Sequence, residues 1–326
     1  MIDDTSTFSS PLLEHIGGFI AGEWVESSDG TPMPVFDPSN GNVLGHIPQL
    51  GAKETTRAVE AAHAALTTMP GAVERGEWLK RIAALLTEHN EEFARIITHE
   101  NGKPLTEARG EVAYAAAFYA YSAASLSALE SHVLEARPKN HTWTVHHRPA
   151  GVVGLITPWN FPLAMLAKKL AAALAAGCTS VVKAAEITPL TCIAFFRLLE
   201  KLKLPPGTVN LVIGDAPAIG IVLCEHPNVR VLSFTGSTAV GRILATQAAP
   251  HLKRLSLELG GNAPFIVCED ADLDAAVTHL LANKFRATGQ TCVCTNRVLV
   301  HEKVADAFTE RVAAAVSKLV VGPGMR

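Results

Sequence analysis

Between Gly151 and Phe234 the chain repeats one rhythm: a short apolar run, a turn, then a longer stretch with apolar residues at helical spacing. Val152-Val153-Gly154-Leu155-Ile156, Ser180-Val181-Val182-Lys183, Val209-Asn210-Leu211-Val212-Ile213 and Arg230-Val231-Leu232-Ser233-Phe234 read as buried strands. An Ala/Leu helix running through Ala176 and a second helix from Cys192 to about Leu202 separate them. Strands that alternate with helices predict a parallel sheet covered on both faces, the doubly wound α/β class. Ligands of such sheets lie beyond the carboxyl ends of the strands. Ahead of this region the pattern differs. The first fifty residues alternate extended runs such as Phe19 to Trp24 with turn signals such as Pro38-Ser39-Asn40-Gly41. Trp78, Ile82, Leu85, Leu86, Phe93 and Ile96 then predict one amphipathic helix, and a very Ala-rich helix is expected from Glu111 to about Leu134.

Composition narrows the classes. A chain of 326 residues buries a sizeable core and suggests two domains, or one large α/β domain with appendages. Its net charge of −3 offers no basic face for nucleic acid or anionic lipid. Cys178, Cys192, Cys224 and Cys268 stand among apolar or small neighbours and read as buried thiols rather than a disulfide framework. No metal-ligand spacing is found; His146-His147 is an isolated pair. The acidic start Met1-Ile2-Asp3-Asp4 lacks a basic leader region, and the apolar stretch from Ala164 to Gly177 is interrupted by Lys168-Lys169, so a soluble cytoplasmic protein is expected.

Chemistry concentrates at the predicted strand ends. Phe234-Thr235-Gly236-Ser237-Thr238-Ala239-Val240-Gly241 passes from strand to tight turn to helix, which offers backbone N–H groups and the Ser237 hydroxyl to a pyrophosphate. The same residues also suit an ordinary helix cap, with Gly241 allowing close packing. Lys183 and Glu186 follow the second strand and suit ribose hydroxyls, or equally a solvated ion pair. Asn160, between Trp159 and Phe161 in a stiff double-proline turn, is either an oxyanion donor or a turn residue. Glu258 lies between two leucines, where apolar surroundings are expected to raise its pKa toward that of a general base; the alternative is an edge-strand carboxylate facing water. Cys292 follows the polar run Gly289-Gln290-Thr291 and is a candidate nucleophile. If that segment is extended, Cys294 shares its side.

Taken in order, these motifs resemble the aldehyde dehydrogenase superfamily along essentially the whole chain. The matching runs are Ala21-Gly22-Glu23-Trp24-Val25, Phe36-Asp37-Pro38-Ser39-Asn40-Gly41, Thr157-Pro158-Trp159-Asn160-Phe161-Pro162, Pro205-Pro206-Gly207-Thr208-Val209-Asn210, Phe234-Thr235-Gly236-Ser237, Leu257-Glu258-Leu259-Gly260-Gly261 and Gly289-Gln290-Thr291-Cys292. The resemblance implies NAD(P)-dependent oxidation of an aldehyde to its acid. Cys292 is then the nucleophile, Glu258 the base and Asn160 the oxyanion donor. Thr157, Trp159, Lys183, Glu186, Gly236, Ser237 and Gly241 bind the dinucleotide, with Glu186 pointing to NAD while NADP stays open. Lys284 to Cys294 resembles the succinate-semialdehyde dehydrogenase branch, which implies that Arg286 binds the carboxylate of a semialdehyde and that Cys294 closes a redox-sensitive disulfide with Cys292. Lys168 stands where that branch has a second carboxylate-binding Arg, Ala287 where it has Asn, and Ala184 where the family has Pro.

The resemblance further implies residues 1–135 and 150–259 as the dinucleotide-binding domain, 136–149 as an oligomerisation segment of a homodimer or homotetramer, and 260–326 as the first part of a catalytic domain whose remainder is absent. A dinucleotide-binding remnant without turnover is the alternative to an active enzyme.

Overall fold

The computed structural model describes residues 9–27, 30, 32–135 and 139–326. The chain opens with β1 (Gly18–Ile20), β2 (Glu23–Val25), β3 (Pro32–Phe36) and β4 (Val43–Pro48), then turns helical through α1 (Ala52–Ala65), α2 (Ala72–Glu88), α3 (Asn90–Asn101) and α4 (Leu105–Ala124). A small hairpin of β5 (His132–Leu134) and β6 (Trp143–Val145) follows. The alternating region then supplies β7 (Val152–Ile156), α5 (Ala164–Ala175), β8 (Thr179–Lys183), α6 (Leu190–Glu200), β9 (Val209–Val212), α7 (Ala216–Glu225), β10 (Val229–Thr235), α8 (Thr238–Ala248) and β11 (Arg254–Glu258). A last unit holds β12 (Ala263–Val267), α9 (Leu273–Lys284), β13 (Thr295–Val300) and α10 (Glu302–Val316).

The main sheet runs β11-β10-β7-β8-β9-β1-β2. Its five strands from β11 to β9 are mutually parallel, and β1 pairs antiparallel with β9. From β7 the chain builds outward through β8 and β9, then returns to the other side of β7 for β10 and β11. Order therefore reverses between β7 and β10, where a doubly wound sheet opens a crevice at its carboxyl edge. Every position of β7 and β8 is buried, as helices on both faces require. Edge strand β11 is exposed at most of its positions.

Long-range side chains hold the helix ends around this crevice. The buried Glu100 carboxyl group accepts from the backbone N–H groups of Leu190 and Thr191 at the start of α6. Glu111 does the same for Leu163 and Ala164 at the start of α5. Arg75 donates to the Ala175 carbonyl at its other end. Each satisfies orphan helix-end groups without a local cap residue.

Two helical expectations are revised. The single amphipathic helix is two, α2 and α3, because His89 leaves helical geometry at φ −95° and ψ 20°. Leu86 and Phe93 are seven residues apart, so two full turns separate them and the apolar face stays in phase across the break. The Ala-rich helix begins earlier, at Leu105, and ends at Ala124; a 3-10 turn and β5 occupy the stretch up to Leu134. Of the segment 136–149, residues 136–138 lie outside the described residues. The β5–β6 hairpin around it exposes Val133, Leu134 and Trp143.

The last unit has its own small core of Val267, Val277, Leu280 and Phe308, separate from the large core under the main sheet. No helix among the described residues is long and apolar enough to cross a membrane.

Candidate active site

A cleft of about 870 Å³ opens at the carboxyl edge of the main sheet. It is lined by Thr157, Trp159, Asn160, Lys168, Lys183, Glu186, Gly236, Ser237, Glu258, Arg286 and Cys292 together. These residues come from the ends of β7, β8, β10 and β11, from α5, and from the loop before β13.

The turn after β7 is held from below. Thr157 donates its N–H to the Lys183 carbonyl over 3.1 Å, tying the ends of β7 and β8. The Trp159 carbonyl accepts from Asn101 Nδ2 at 3.0 Å and Thr188 Oγ1 at 3.2 Å. The Asn160 carbonyl accepts from Lys103 Nζ at 2.7 Å. On its other side, Asn160 Nδ2 donates to the Gln290 carbonyl over 2.8 Å, which joins the oxyanion candidate to the loop carrying Cys292.

After β10, Ser237 caps α8 by accepting from the Val240 N–H at 3.2 Å, as the helix-cap reading has it, and it also lines the cleft. Gly236 admits no side chain, since a Cβ would fall 2.4 Å from Phe234 Cζ. Gly241 is not among the residues lining the cleft. It lies buried against Leu259, whose Cδ2 would sit 2.5 Å from an added Cβ. Lys183 and Glu186 form an ion pair at the end of β8, the lysine buried and the carboxylate partly exposed.

Cys292 is exposed, whereas Cys294 is buried with its Sγ donating to the Gly289 carbonyl at 3.1 Å. Residues 292–294 form a turn and bend rather than an extended strand, so the extended geometry in which the two thiols would share a side is not formed. Both are free. Upstream, Ala287, Thr288 and Gly289 are all left-handed, at φ 46°, 55° and 78°; the first two are non-glycine residues held there at a cost. Glu107 Oε2 accepts from the Ala287 N–H at 2.6 Å and pins this run to α4. Arg286 leads into it, its guanidinium 5.4 Å from the Phe161 ring centre.

Glu258 fits the edge-strand alternative and not the raised-pKa expectation. Its carboxylate lies at the end of the edge strand, about half exposed, and Lys168 Nζ donates to it at 2.9 Å. The Lys168 hydrogen bond, with the Coulomb attraction of Lys168 behind it, lowers the Glu258 pKa instead of raising it, since little burial opposes them. Lys168 is therefore a partner of Glu258 as well as a cleft residue. Beneath it, burial lowers Lys169 to about 8, and its ammonium donates to Ser233 Oγ. A side chain on Gly261 would meet the Cys292 carbonyl at 3.4 Å, so the Glu258 and Cys292 stretches run against each other.

One cysteine expectation is corrected: Cys268 is exposed, because it follows β12 in the small last unit instead of entering a core, while Cys178, Cys192 and Cys224 are buried. The sequence also gave no local sign of Tyr114, Met165, Val240 or Leu244 in the cleft wall; each is an unremarkable helix residue whose place only the packing of α4, α5 and α8 decides.

The aldehyde dehydrogenase family model matches residues 24–326, and the chain belongs to the aldehyde dehydrogenase family. Among relatives, it is 48% identical over 320 residues to a mitochondrial succinate-semialdehyde dehydrogenase of Arabidopsis thaliana, covering 98% of this chain and 60% of that one. It is 46% identical over 326 residues to the NADP(+) succinate-semialdehyde dehydrogenase of Escherichia coli, covering 99% and 66%. A crystal structure of an oxidoreductase from Marinobacter aquaeolei superposes with a TM-score of 0.95 at 55% identity, covering 98% of this chain and 67% of that one. The chain thus spans about 60 to 66% of the length of these two curated relatives.

Proposed function

We propose that this chain carries the site of an NAD(P)-dependent aldehyde dehydrogenase acting on a carboxylate-bearing semialdehyde, succinate semialdehyde being the first candidate. The observation that carries this reading is the meeting of an exposed Cys292 thiol with Asn160, Glu258 and the Gly236-Ser237 helix start in one cleft. Family membership and the names of the two relatives support it.

The residues present suit a dinucleotide. The cleft meets the start of α8, where N–H groups and the helix dipole favour phosphate. Thr235 Oγ1 is buried there without a hydrogen-bond partner. Gly236, Ser237 and Thr157 would face the phosphates, Lys183 and Glu186 the ribose, and Trp159 would stand beside them. When bound, the nicotinamide accepts hydride from the substrate carbon. Glu186 disfavours a 2′-phosphate by like charge, so NAD is the preferred form and NADP the alternative.

In the chemistry proposed, the Cys292 thiolate adds to the aldehyde carbon and the carbonyl electron pair moves onto oxygen. An Asn160 amide N–H and the Cys292 backbone N–H donate to that oxygen. Loss of hydride from the carbon leaves a thioester on Cys292. Glu258 then takes a proton from water, the hydroxide adds, and the thiolate leaves as the acid forms. Glu258 is ionised at neutral pH, Lys168 lowers its pKa further, and that lysine occupies Oε1. Arg286 would bind the substrate carboxylate, with Lys168 as a second cation; Arg286 offers a bidentate fork. Residues 1–135 and 150–259 serve as the dinucleotide-binding unit, 260–326 begins the catalytic unit, and the hairpin about 136–149 is the surface for dimer or tetramer formation.

The test is NAD(P)H formation at 340 nm by the purified chain with succinate semialdehyde, with Cys292→Ala as control. A second reading is favoured by the span of only 60 to 66% of the relatives' length: a dinucleotide-binding unit without turnover. Binding of NAD with no NADH from any semialdehyde selects that reading.

A further inference from the structure

Lys103 has no part in the chemistry above, yet it is 1% exposed and its ammonium is fully committed. It pairs with Glu111, whose side chain is wholly buried, and donates to the Asn160 carbonyl at 2.7 Å. The same nitrogen lies 4.0 Å from the Phe161 ring centre. Glu111, with its other oxygen, accepts from the N–H groups of Leu163 at 2.9 Å and Ala164 at 3.1 Å. One ion pair thus grips the main chain from Asn160 to Ala164, the whole passage from the cleft turn into α5. Burying two charges costs several kcal/mol in desolvation, and apolar side chains of similar size would fill the space at least as stably. What an apolar pair could not supply is a donor that fixes the direction of the Asn160 carbonyl, and with it the backbone geometry from which the Asn160 side chain projects.

We propose that Lys103, locked by Glu111, is a positioning residue that aims the Asn160 amide at the oxygen of a substrate bound to Cys292. The inference rests on the function proposed above, but its test needs neither hydride transfer nor dinucleotide.

The probe is 5,5,5-trifluoro-4-oxopentanoate, a ketone with the carboxylate spacing of succinate semialdehyde. The Cys292 thiolate adds to its carbonyl carbon and the carbonyl pair moves onto oxygen. The adduct has no hydrogen on that carbon and stops there. Fluorine NMR follows the ionisation of the adduct hydroxyl, which reports how well donors hold the oxyanion. Lys103→Met combined with Glu111→Gln removes the pair without leaving a lone buried charge, and the new amide oxygen can still accept from Leu163 and Ala164. In this variant the hydroxyl pKa is expected to rise by at least about one, a tenfold loss of ionised adduct at fixed pH. Asn160→Ala should raise it equally, and combining the changes should add nothing further.

An unchanged hydroxyl pKa in the folded paired variant, with Asn160→Ala raising it, overturns the proposal, as does full additivity. If the paired variant does not fold, Lys103→Arg keeps the charge but displaces the donor. It should give a smaller rise, and none overturns the idea. Should Asn160→Ala leave the pKa unmoved, or should no adduct form at Cys292, the proposed chemistry fails and takes this inference with it. A normal set of shifts in a chain that makes no NAD(P)H upholds the positioning role and rejects only turnover.

Discussion

Lys168 Nζ donates to Glu258 Oε1 over 2.9 Å, joining α5 to the end of β11 within the cleft. The contact turns the proposed base into a low-pKa carboxylate. Lys168→Met should return Glu258 toward its ordinary value near 4.5, so less of it is ionised at mildly acidic pH. The acid limb of the pH–rate profile for thioester hydrolysis then moves upward. Steady-state cleavage of an activated ester, which needs Cys292 and a water base but no hydride transfer, reads this directly. An acid limb that stays in place would mean that Lys168 does not control Glu258. Both side chains are substantially exposed, so little change in melting temperature is expected.

Substrate choice is read at Arg286. A charged hydrogen bond to a carboxylate contributes roughly 1.5–3 kcal/mol, so Arg286→Ala should lower kcat/KM for succinate semialdehyde by about 10- to 100-fold. An uncharged aldehyde of similar length should lose little. Equal losses for both would place Arg286 in loop structure rather than in substrate recognition, given its position beside the left-handed run at Ala287 and Thr288.

Glu100 predicts an unusual pH dependence of stability. Burial raises its pKa from 4.5 to about 8 in spite of its bonds to Thr191 and Leu190. The folded state therefore holds a proton that the unfolded state releases above about 4.5. The stabilisation is complete below that value and is lost as pH rises through about 8. Urea midpoints should fall across this window, and Glu100→Gln should flatten the fall while lowering the plateau by about 1–2 kcal/mol, because its NH2 group cannot replace one of the accepted bonds. Parallel pH curves for the two proteins would refute the assignment.

Thiol chemistry separates the six cysteines. A short iodoacetamide pulse on the native chain should label Cys292 and Cys268 and spare Cys178, Cys192, Cys224 and Cys294. Burial pushes Cys224 up to about 11 and Cys192 higher still, which removes the thiolate needed for attack. Intact mass gives the count. Peroxide then tests the redox pairing: joint loss of the Cys292 and Cys294 thiols supports a disulfide, and loss of Cys292 alone rejects it.

Local sequence carried the strands and the chemistry unequally far. Runs such as Val152 to Ile156 must be buried wherever they go, and a βαβ alternation leaves few topologies for them. Periodicity was blind to the break at His89 because seven residues from Leu86 to Phe93 keep the face in phase. Composition was equally blind to the end of α4 at Ala124, since Leu126, Ala128 and Leu129 continue the apolar, small-residue character beyond it. Flanking leucines misled the reading of Glu258, since neighbours in sequence say nothing of a lysine 90 residues away.

The amino-acid sequence by itself determined the family and the parallel sheet, and it named Cys292, Asn160 and Glu258 as the set proposed to react, because each depends on residue types held in short runs. Only the tertiary structure decided which charges meet. The reversal of strand order between β7 and β10 brings distant loops to one cleft, and the low dielectric beneath it makes Lys103, Glu111 and Glu100 matter far more than their surroundings in sequence suggest.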